Sequence, residues 1–415
     1  MPESEESSRR PCLLVVETGP KAYREYLLRS LSTRYRVHLF CAAVPEWAAG
    51  YISGHSIVEN PRDGLAMAAE ALRLASREPV RGVMCWLEDM IVPAAQVARA
   101  LGLPGGDPEA VARCCDKSRT RSALAVAGVP QPRMVAVTTQ AEALRAADEV
   151  GYPAVLKPRG LAGSVGVVRV DGPDELSALF GVARDASAPG EVRYDIPVLV
   201  EEYVDGPEIS VDAVVHQGRV QPMYIARKTL GYPPFFAEVG HWIDAVDPLL
   251  GDQALMEVLQ RTHTALGLAN GITHTEIRLT PRGPRVIEVN ARLAGGLLPF
   301  LAQCATGVDV GLVAAAVACG RAPVLAPDRK LVAAIRFLHP ERDGMTIRSI
   351  GFTRDRATPA ENTAVIIAQP GQTVSTPFTD MLSGRIAYVT AVGADLGECQ
   401  AALDSAQARL HVEAV

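Results

Sequence analysis

Two glutamates and an asparagine stand where a predicted β-hairpin could bring three oxygen ligands together. Glu276 lies on the first strand, over residues 275–279, and Glu288 and Asn290 follow on the second, over residues 285–289 and just beyond. Side chains alternate along a strand, so Glu288 and Asn290 share a face that Glu276 can join across the ladder. Such a set suits Mg²⁺, and a cation would relieve the repulsion between buried carboxylates. The alternative is a group of exposed strand residues without a metal.

A glycine-rich loop follows a predicted strand that ends in Lys157. The loop spans residues 158–166 and contains Gly163, Ser164 and Gly166. Its backbone N–H groups could fold over phosphate oxygens, with Lys157 as a nearby cation. It is not a Walker A motif, which requires G-x-x-x-x-G-K-[ST] before a helix. An ordinary glycine-rich hairpin is the alternative.

Carboxylates also collect where the next apolar strand ends. Residues 198–204 read Val-Leu-Val-Glu-Glu-Tyr-Val, and Glu208 follows a short Asp-Gly-Pro turn. Acceptors at Glu201 and Glu208 could bind an adenine edge and ribose hydroxyls. A solvated strand end would explain the same residues.

A fourth candidate segment, residues 235–242, places Glu238 and His241 three residues apart among aromatic side chains. A lone histidine beside a tryptophan is more often packed or exposed than a ligand. Because Glu238 lies three residues before His241, the sequence favours a binding role for His241 as much as a structural one.

The elements that must position these residues begin with an alternating pattern. Short apolar strands at residues 13–16, 37–40 and 83–87 alternate with helical sequence, which predicts a doubly wound α/β domain. The first strand is followed by Glu-Thr-Gly-Pro at residues 17–20 rather than by G-x-G-x-x-G. A dinucleotide site of the Rossmann kind is therefore poorly supported.

The pattern changes after a cluster of helix breakers at residues 104–108. Residues 109–127 read as a helix that ends at Gly128, and strands rich in Val and Ile then predict an α+β region with antiparallel sheet. The last segment predicts short strands and a terminal helix. We therefore predict an α/β and α+β multidomain fold, with an N-terminal α/β domain, a central domain and a small C-terminal α+β subdomain at residues 1–108, 109–325 and 326–415.

Composition argues against several classes of partner. With 41 basic and 47 acidic residues, the chain has no global basic field of the kind that non-specific DNA binding requires. The eight cysteines form no Cys-x-x-Cys pair, and we interpret the adjacent Cys114 and Cys115 as packed thiols. Residues 1–10 lack an apolar signal segment, and the apolar run at residues 308–319 is too short to cross a bilayer. We expect a cytoplasmic protein that binds neither nucleic acid nor membranes.

Six blocks, in their order and spacing, resemble the ATP-grasp superfamily over about residues 113–310. They are Asp-Lys-Ser-Arg-Thr at 116–120, Gly-Val-Pro-Gln-Pro at 128–132, Lys157-Pro158 with its loop, Glu-Glu-Tyr-Val at 201–204 with Glu208, Glu276, and Glu-Val-Asn-Ala-Arg at 288–292. The resemblance implies an ATP-grasp domain with an ATP-lid subdomain at about residues 109–205 and a catalytic subdomain at about residues 206–325. It also implies ATP and Mg²⁺ or Mn²⁺ as cofactors, and a homodimer.

The resemblance further implies a role for each matched nucleotide-binding residue. Lys117 and Lys157 would contact ATP phosphates, and Gly163, Ser164 and Gly166 would belong to the phosphate lid. Glu201 and the backbone of Val204 would contact adenine, and Glu208 would contact ribose.

The remaining matched residues would carry the chemistry. Glu276, Glu288 and Asn290 would hold Mg²⁺, and Arg292 would stabilise an acyl phosphate and a tetrahedral intermediate; Lys157 and Glu288 would also be catalytic. Phosphoryl transfer depends on positioning and charge neutralisation, so no protein nucleophile is required.

Within the superfamily, Asn-Ala-Arg-Leu-Ala-Gly-Gly at residues 290–296 looks most like L-amino-acid ligases of the dipeptide-forming, bacilysin type. Biotin-dependent carboxylases are similar up to Arg292, but the Gln-Val-Glu-His that follows in them is absent. The resemblance implies that Glu238, His241, Arg292 and Gly295 contact substrate. Where bacilysin-type ligases have a bulky aromatic, this chain has Gly296, so their substrate preference does not carry over.

These observations predict an ADP-forming ligase that joins a carboxylate, such as an amino acid, to an amine through an acyl phosphate. The product would be an amide or dipeptide for specialised-metabolite or antibiotic biosynthesis. Two alternatives stay open: an ATP-grasp ligase or carboxylase of nucleotide biosynthesis, and a non-catalytic nucleotide-binding regulator. The sequence leaves open the donor, the acceptor, the pathway, the oligomeric state and the function of the C-terminal subdomain.

Overall fold

Apolar strands near the N terminus form a parallel sheet of four strands. The computed structural model describes residues 10–187, 194–353, 357–381 and 384–415, so the prediction for residues 1–9 lies outside the described residues. The elements of this region are β1 (Cys12–Val16), α1 (Lys21–Ser32), β2 (Arg36–Cys41), β3 (Gly54–Ile57), α2 (Gly64–Ala75), β4 (Val80–Met84) and α3 (Ile91–Ala100). The strand order is β3-β2-β1-β4.

Helices cover both faces of this sheet, as the doubly wound prediction requires. Alternate residues of β1 enter two core clusters: Leu13 and Val15 pack with α1, and Leu14 and Val16 pack with α2 and α3. Strands buried on both faces explain the continuous apolar runs in the sequence.

The last strand of this sheet, β4, lies three residues earlier than residues 83–87, where the sequence analysis predicts it. The chain leaves the sheet after Met84, and Trp86 enters the core, where its indole Nε1 donates to the Thr18 carbonyl oxygen at 3.0 Å. Residues Glu88–Met90 then form a 3₁₀ turn that leads into α3.

The single helix predicted over residues 109–127 is wrong, because two helices replace it: α4 (Pro108–Cys115) and α5 (Lys117–Val126). Asp116 breaks the run with extended backbone, and its carboxylate accepts from the N–H groups of Ser118 and Arg119 at the start of α5. The same carboxylate binds the Arg159 guanidinium through two hydrogen bonds of 2.8 and 2.7 Å. The break therefore ties the start of α5 to the glycine-rich loop.

The predicted antiparallel α+β region is confirmed. Its elements are β5 (Met134–Val137), α6 (Gln140–Val150), β6 (Ala154–Pro158), β7 (Val168–Val170), α7 (Pro173–Asp185) and β8 (Val198–Glu202). The strands form an antiparallel sheet in the order β5-β8-β6-β7, called here the small sheet, and α6 and α7 pack on it.

The predicted hairpin also forms, within a sheet of eight strands called here the large sheet. The next elements are β9 (Glu208–His216), β10 (Arg219–Gly231), β11 (Ala237–Asp244), α8 (Gln253–Leu266), β12 (Gly271–Thr280), β13 (Gly283–Asn290), α9 (Leu298–Thr306) and α10 (Val310–Ala318). Strands β12 and β13 are antiparallel and are joined by two residues, and their register places Glu276 opposite Glu288.

The C-terminal segment extends the same large sheet. Its elements are β14 (Val332–Leu338), β15 (Met345–Phe352), β16 (Glu361–Ile366), β17 (Thr373–Val374), β18 (Ala387–Gly393), α11 (Leu396–Ala408) and β19 (Leu410–Ala414). The sheet order is β13-β12-β9-β10-β11-β14-β18-β16, while β15 pairs with β17 and β19. The helix predicted to be terminal is thus followed by a strand. The mixed α/β and α+β fold class is confirmed, and the domain boundaries stay a prediction.

Among the helices of the described residues, none is by itself long and apolar enough to span a membrane. Among these helices, only the pair α9 and α10 has the combined length and apolar composition of a membrane span, and the two helices are bent by 109° relative to each other.

The turn between β8 and β9 yields a prediction about stability. Gly206 has a φ of 134°, and a Cβ there would lie 2.1 Å from the carbonyl oxygen of Leu279. Gly206→Ala should therefore lower the free energy of unfolding by more than the roughly 1–2 kcal/mol that positive-φ backbone strain costs. Gly218→Ala is the matched control, because Gly218 has a φ of 77° and no atom within 4 Å of the added Cβ. Equal losses in urea unfolding of the two variants would contradict the close contact.

Candidate active site

A cleft with an empty volume of about 1360 Å³, including space open to solvent, brings most of the predicted site residues together. Its walls come from the small sheet, the glycine-rich loop, the large sheet and the C-terminal segment. The predicted residues that line it are Lys117, Lys157, Gly163, Ser164, Glu201, Val204, Glu208, Glu238, Glu276, Glu288, Asn290, Arg292 and Gly295. Two others, Gly166 and His241, lie outside the lining, and Gly166 packs closely against Pro158 and Ala186.

The paired carboxylates of the hairpin are compensated by lysines from two other elements. Lys228 of β10 forms an ion pair with Glu276, and the Nζ of Lys117 lies 3.4 Å from Oε2 of Glu288. Burial opposes ionisation of Glu276, but Lys228 and His274 hold the pKa of this carboxyl well below its usual range. Asn290 completes the group by donating from Nδ2 to Oε1 of Glu288 at 3.2 Å.

This set of donors fits a Mg²⁺ ion whose remaining ligands would be phosphate and water oxygens. The Nδ2 bond to Glu288 leaves the amide oxygen of Asn290 free, so two carboxylates and one amide offer hard oxygen ligands. Across the part of the chain that the structure describes, no cluster of three or more His, Cys, Asp or Glu side chains could hold a metal unaided. A shared site of protein and nucleotide oxygens is the arrangement that these residues can support.

A protonated histidine lies behind Glu276. Nδ1 of His274 is 2.7 Å from Oδ1 of the buried Asp212, and its Nε2 is 3.5 Å from Oε1 of Glu276. Although burial opposes the charge, Asp212 and Glu276 raise the pKa of His274 to about 9. The imidazolium therefore forms an ion pair with Oε1 of Glu276 as well as with Asp212.

Glu201 is fully engaged by protein cations. Its two oxygens accept from Nε and Nη2 of Arg121 at 2.8 and 3.0 Å, and Nζ of Lys157 lies 2.7 Å away. Burial would raise the pKa of Glu201, but Arg121 and Lys157 hold it at about 2. Any contact of Glu201 with adenine must leave these bonds in place.

The two lysines predicted to bind phosphate, Lys117 and Lys157, differ in their surroundings. Burial is the main cause that lowers the pKa of Lys157 to about 8, and the positive charges of Arg121 and Lys117 lower it further. Glu201 opposes this change. Lys117 donates to the carbonyl of Leu161 in the glycine-rich loop. The loop places Gly163 and Ser164 in the cleft wall with φ values of 70° and 59°, which turns the backbone sharply beside the lysines.

Glu208, the predicted ribose ligand, is paired with two cations that sequence reasoning missed. Nη2 of Arg278 lies 2.7 Å from its Oε2, and Nζ of Lys228 lies 3.1 Å from its Oε1. Strand alternation could have found Arg278, which is two residues beyond Glu276 on β12. Lys228 carries no such signal, because its partners lie on β9 and β12.

Arg292 is held by the N-terminal domain. Its Nε donates to Oε2 of Glu88, in the turn before α3, and its Nη1 donates to the carbonyl of Leu293 at 3.0 Å. Burial opposes the charge, but Glu88 raises the pKa of Arg292, so the guanidinium stays positive. No sequence signal connected residues 88 and 292.

Glu238 and His241 form a pair at the end of the cleft where Gly295 lies. Nδ1 of His241 is 3.0 Å from Oε1 of Glu238, and its Nε2 is 2.8 Å from the carbonyl oxygen of Gly296. Burial opposes ionisation, but Lys228 and His241 hold the pKa of Glu238 at about 2. A Cβ on Gly296 would lie 2.9 Å from Cε1 of His241, so a bulky residue at position 296 would require this histidine to move.

The adjacent cysteines lie outside the cleft lining, although the Cys115 thiol contacts Glu88, the partner of Arg292. Cys114 and Cys115 do not line the cleft, and burial raises the pKa of Cys114 to about 12 and that of Cys115 further. The thiols therefore stay protonated near neutral pH, as packed cysteines do.

Comparisons with known proteins identify a family model that matches the part of the chain containing most of the cleft residues. Residues 150–299 match the model of the ATP-grasp domain. The chain is 33% identical over 405 residues to the uncharacterized protein y4rH of Sinorhizobium fredii, covering 94% of this chain and 80% of that protein. It is 30% identical over 323 residues to carnosine synthase 1 of Gallus gallus, covering 74% and 34%, and 29% identical over 252 residues to alanine–anticapsin ligase of Bacillus subtilis, covering 56% and 52%. The chain thus spans about a third and about half of the lengths of these two enzymes.

Among solved structures, the fold is similar to that of an L-amino acid ligase from Bacillus licheniformis. The TM-score is 0.78 at 22% sequence identity, and the match covers 98% of this chain and 99% of the other. A match at this identity shows a shared fold.

The buried charge of Glu201 gives a prediction about pH. The pKa of this folded-state carboxyl is depressed from 4.5 to about 2, so it stabilises the fold above about pH 4.5 and loses that contribution as the pH falls towards 2. Glu201→Gln should cost about 3–5 kcal/mol at pH 7, because it leaves Arg121 and Lys157 without their partner. The cost relative to wild type should shrink at pH 3.

Urea unfolding at pH 7 and pH 3 measures both effects. Glu202→Gln is the matched control, since Glu202 is partly exposed and its cations, Arg133 and Arg285, lie 3.6 Å away. The control should lose less than about 1 kcal/mol. Equal losses for the two variants, unchanged by pH, would show that the buried charge of Glu201 does not stabilise the fold.

Proposed function

Because this chain belongs to the ATP-grasp family, which includes carboxylate–amine ligases, we propose that it joins a small carboxylate to an amine with release of ADP and phosphate. The carboxylate is first activated as an acyl phosphate, and the product is an amide or dipeptide. The observation that carries this proposal is the cleft that brings together two lysines, a carboxylate pair with an amide, and an arginine.

The residues of the cleft divide the chemistry between binding and charge neutralisation. Lys117 and Lys157 bind phosphate oxygens, and the loop with Gly163 and Ser164 excludes water above them. The backbone of Val204 and the side chain of Glu208 bind the nucleoside. Positioning and charge stabilisation supply most of the rate in phosphoryl transfer.

The metal site serves the phosphoryl transfer. Glu276, Glu288 and Asn290 would hold Mg²⁺ or Mn²⁺, which neutralises the developing charge on the transferred phosphoryl group when bound. His274 and Lys228 keep Glu276 ionised and oriented as a ligand.

Arg292 serves the second step. The amine attacks the carbonyl carbon of the acyl phosphate, the carbonyl oxygen becomes negative, and the C–O bond to phosphate then breaks. The amine proton is lost, and phosphate departs with the bonding electron pair. Arg292, oriented by Glu88, stabilises the oxyanion and the departing phosphate.

The donor is an amino acid or a similar carboxylate. Glu238 is ionised and faces the cleft, so it binds the α-ammonium of the donor, and His241 orients Glu238 from behind instead of contacting the donor itself. The neighbouring Gly295 and Gly296 leave room for the donor side chain. The similarity to alanine–anticapsin ligase supports an amino acid as a substrate. We further propose that the product serves specialised-metabolite or antibiotic biosynthesis and that the enzyme is a cytoplasmic homodimer.

The acyl-phosphate mechanism predicts the fate of labelled oxygen. With a donor labelled with ¹⁸O in its carboxylate, one labelled oxygen should move to the released phosphate, and ADP should accumulate in step with product. A panel of amino-acid pairs scored by product mass first identifies the donor. Stoichiometric AMP, or unlabelled phosphate, would contradict the mechanism.

The role of Glu238 predicts a loss that depends on the donor. A charged hydrogen bond is worth roughly 1.5–3 kcal/mol, so Glu238→Gln should lower kcat/KM for the amino-acid donor by about 10- to 150-fold. The des-amino analogue of that donor should be a poor substrate that loses little more in the variant.

The control substitution is Glu257→Gln, on the exposed face of α8, which should change neither donor. Measuring both donors on both enzymes gives a double-difference cycle. An equal penalty for the two donors would mean that Glu238 acts through the fold, and the ammonium role would be withdrawn.

A further inference from the structure

Arg385, just before β18, places a guanidinium in the cleft wall from a segment in which the sequence shows no motif. Its Cζ lies 3.6 Å from the centroid of the Phe337 ring, and its Nη2 donates to the backbone carbonyl of Glu238 at 3.1 Å. A stacked ring and one backbone acceptor fix the plane of the guanidinium without neutralising its charge.

The other cations of the cleft are all paired with carboxylates. The pairs are Lys117 with Glu288, Lys157 with Glu201, Lys228 with Glu208 and Glu276, Arg278 with Glu208, and Arg292 with Glu88. Among the residues that the structure describes, Arg385 forms no ion pair with a carboxylate. It donates to the carbonyl of Glu238 and interacts with the Tyr23 hydroxyl, and its Nε is buried without an acceptor. A partly buried cation with a buried, unsatisfied Nε and no carboxylate partner favours the binding of an anion from outside the protein.

The position of Arg385 within the cleft limits what that anion can be. The Phe337 ring beneath it also approaches Gly296, because a Cβ on Gly296 would lie 3.7 Å from Cζ of Phe337. Arg385 is thus at the end of the cleft that carries Gly295, beyond the nucleotide-facing lysines. In the proposed mechanism, Arg292 and the metal site already bind the reacting carboxylate of the donor.

We propose that Arg385 binds the carboxylate of the amine acceptor, and that the acceptor is therefore an amino acid whose carboxylate stays free in the product. This inference rests on the proposed ligase function and extends it to the second substrate. Met381, Phe236 and Leu298 also line the cleft and offer apolar surface to the acceptor side chain.

The test compares amino acids with their primary carboxamides as acceptors. Hydroxylamine, which has no carboxylate, serves as a third acceptor and traps the acyl phosphate as a hydroxamate. Wild-type enzyme should use a free amino acid with a kcat/KM about 10- to 150-fold above that of its carboxamide, as expected for one charged hydrogen-bonded contact. Arg385→Gln should remove this preference by slowing the free acid alone, while hydroxamate formation and the donor KM stay unchanged.

Two further variants act as controls. Arg385→Lys keeps the charge but not the two-pronged geometry, so it should retain part of the preference. Arg336→Gln removes an arginine that pairs with Asp404 away from the cleft, and it should behave as wild type.

Each failure has a distinct meaning. If no amino-acid donor gives a hydroxamate with wild-type enzyme, the proposed ligase function fails. If hydroxamate forms but no free amino acid is an acceptor, or acid and carboxamide react equally in wild type, the role of Arg385 is overturned while the ligase function stands. Loss of hydroxamate formation in Arg385→Gln would also overturn it, because the residue would then act on activation or on the fold.

Discussion

The repulsion between two glutamates that face each other across one hairpin is the constraint around which the cleft is built. The register of β12 and β13 sets Glu276 opposite Glu288, so two carboxylates lie side by side in the cleft wall and repel each other. Lys228 arrives from β10 and Lys117 from the start of α5, so the compensation comes from elements distant in sequence. Because the lysines do not cancel the acceptor capacity of the oxygens, the same arrangement can accept a metal ion when phosphate oxygens supply the remaining ligands. Without nucleotide, the lysines balance the charge of the carboxylates. With nucleotide, the same carboxylates would bind the metal ion.

The same logic joins the separate sheets. Arg121 of α5 and Lys157 of β6 share Glu201 of β8, so the small sheet is tied to α5 through a buried ion cluster. Glu88 reaches Arg292 from the N-terminal region, so this region helps to position a residue of the cleft although it contributes no nucleotide motif. Breaking any one of these buried pairs leaves a charge without a partner, which costs more than the pair itself contributes. The geometry of the site and the association of the domains are therefore maintained by the same interactions.

The sequence predicted the features of this protein that depend on residues close together in the chain. Strand alternation found the Glu276, Glu288 and Asn290 face, because periodicity and a turn signal are enough to define a hairpin. It failed at Asp116, where side-chain capping and the Arg159 pair break a run that reads as one helix. It also missed Glu88, Lys228 and Arg385, whose partners lie on other elements. Such partners follow from sheet order, which the periodicity of a single sequence does not define.

The C-terminal segment shows why the acceptor end of the cleft lies outside the recognisable motifs. Strand β14 pairs with β11, the strand that carries Glu238 and His241, so the C-terminal segment helps to fix the position of both residues. Phe337 on β14 then supports Arg385. In the proposed mechanism, the residues of the β12–β13 hairpin act on the phosphoryl group and on the carbonyl of the substrate. Their role would therefore be the same for every carboxylate substrate. Recognition of the amine acceptor has no such restriction. It can therefore be carried out by the C-terminal segment, where a substitution would not disturb the paired carboxylates. The proposal therefore assigns the reaction to β12 and β13 and the choice of acceptor to β14 and the segment before β18, which belong to one continuous sheet.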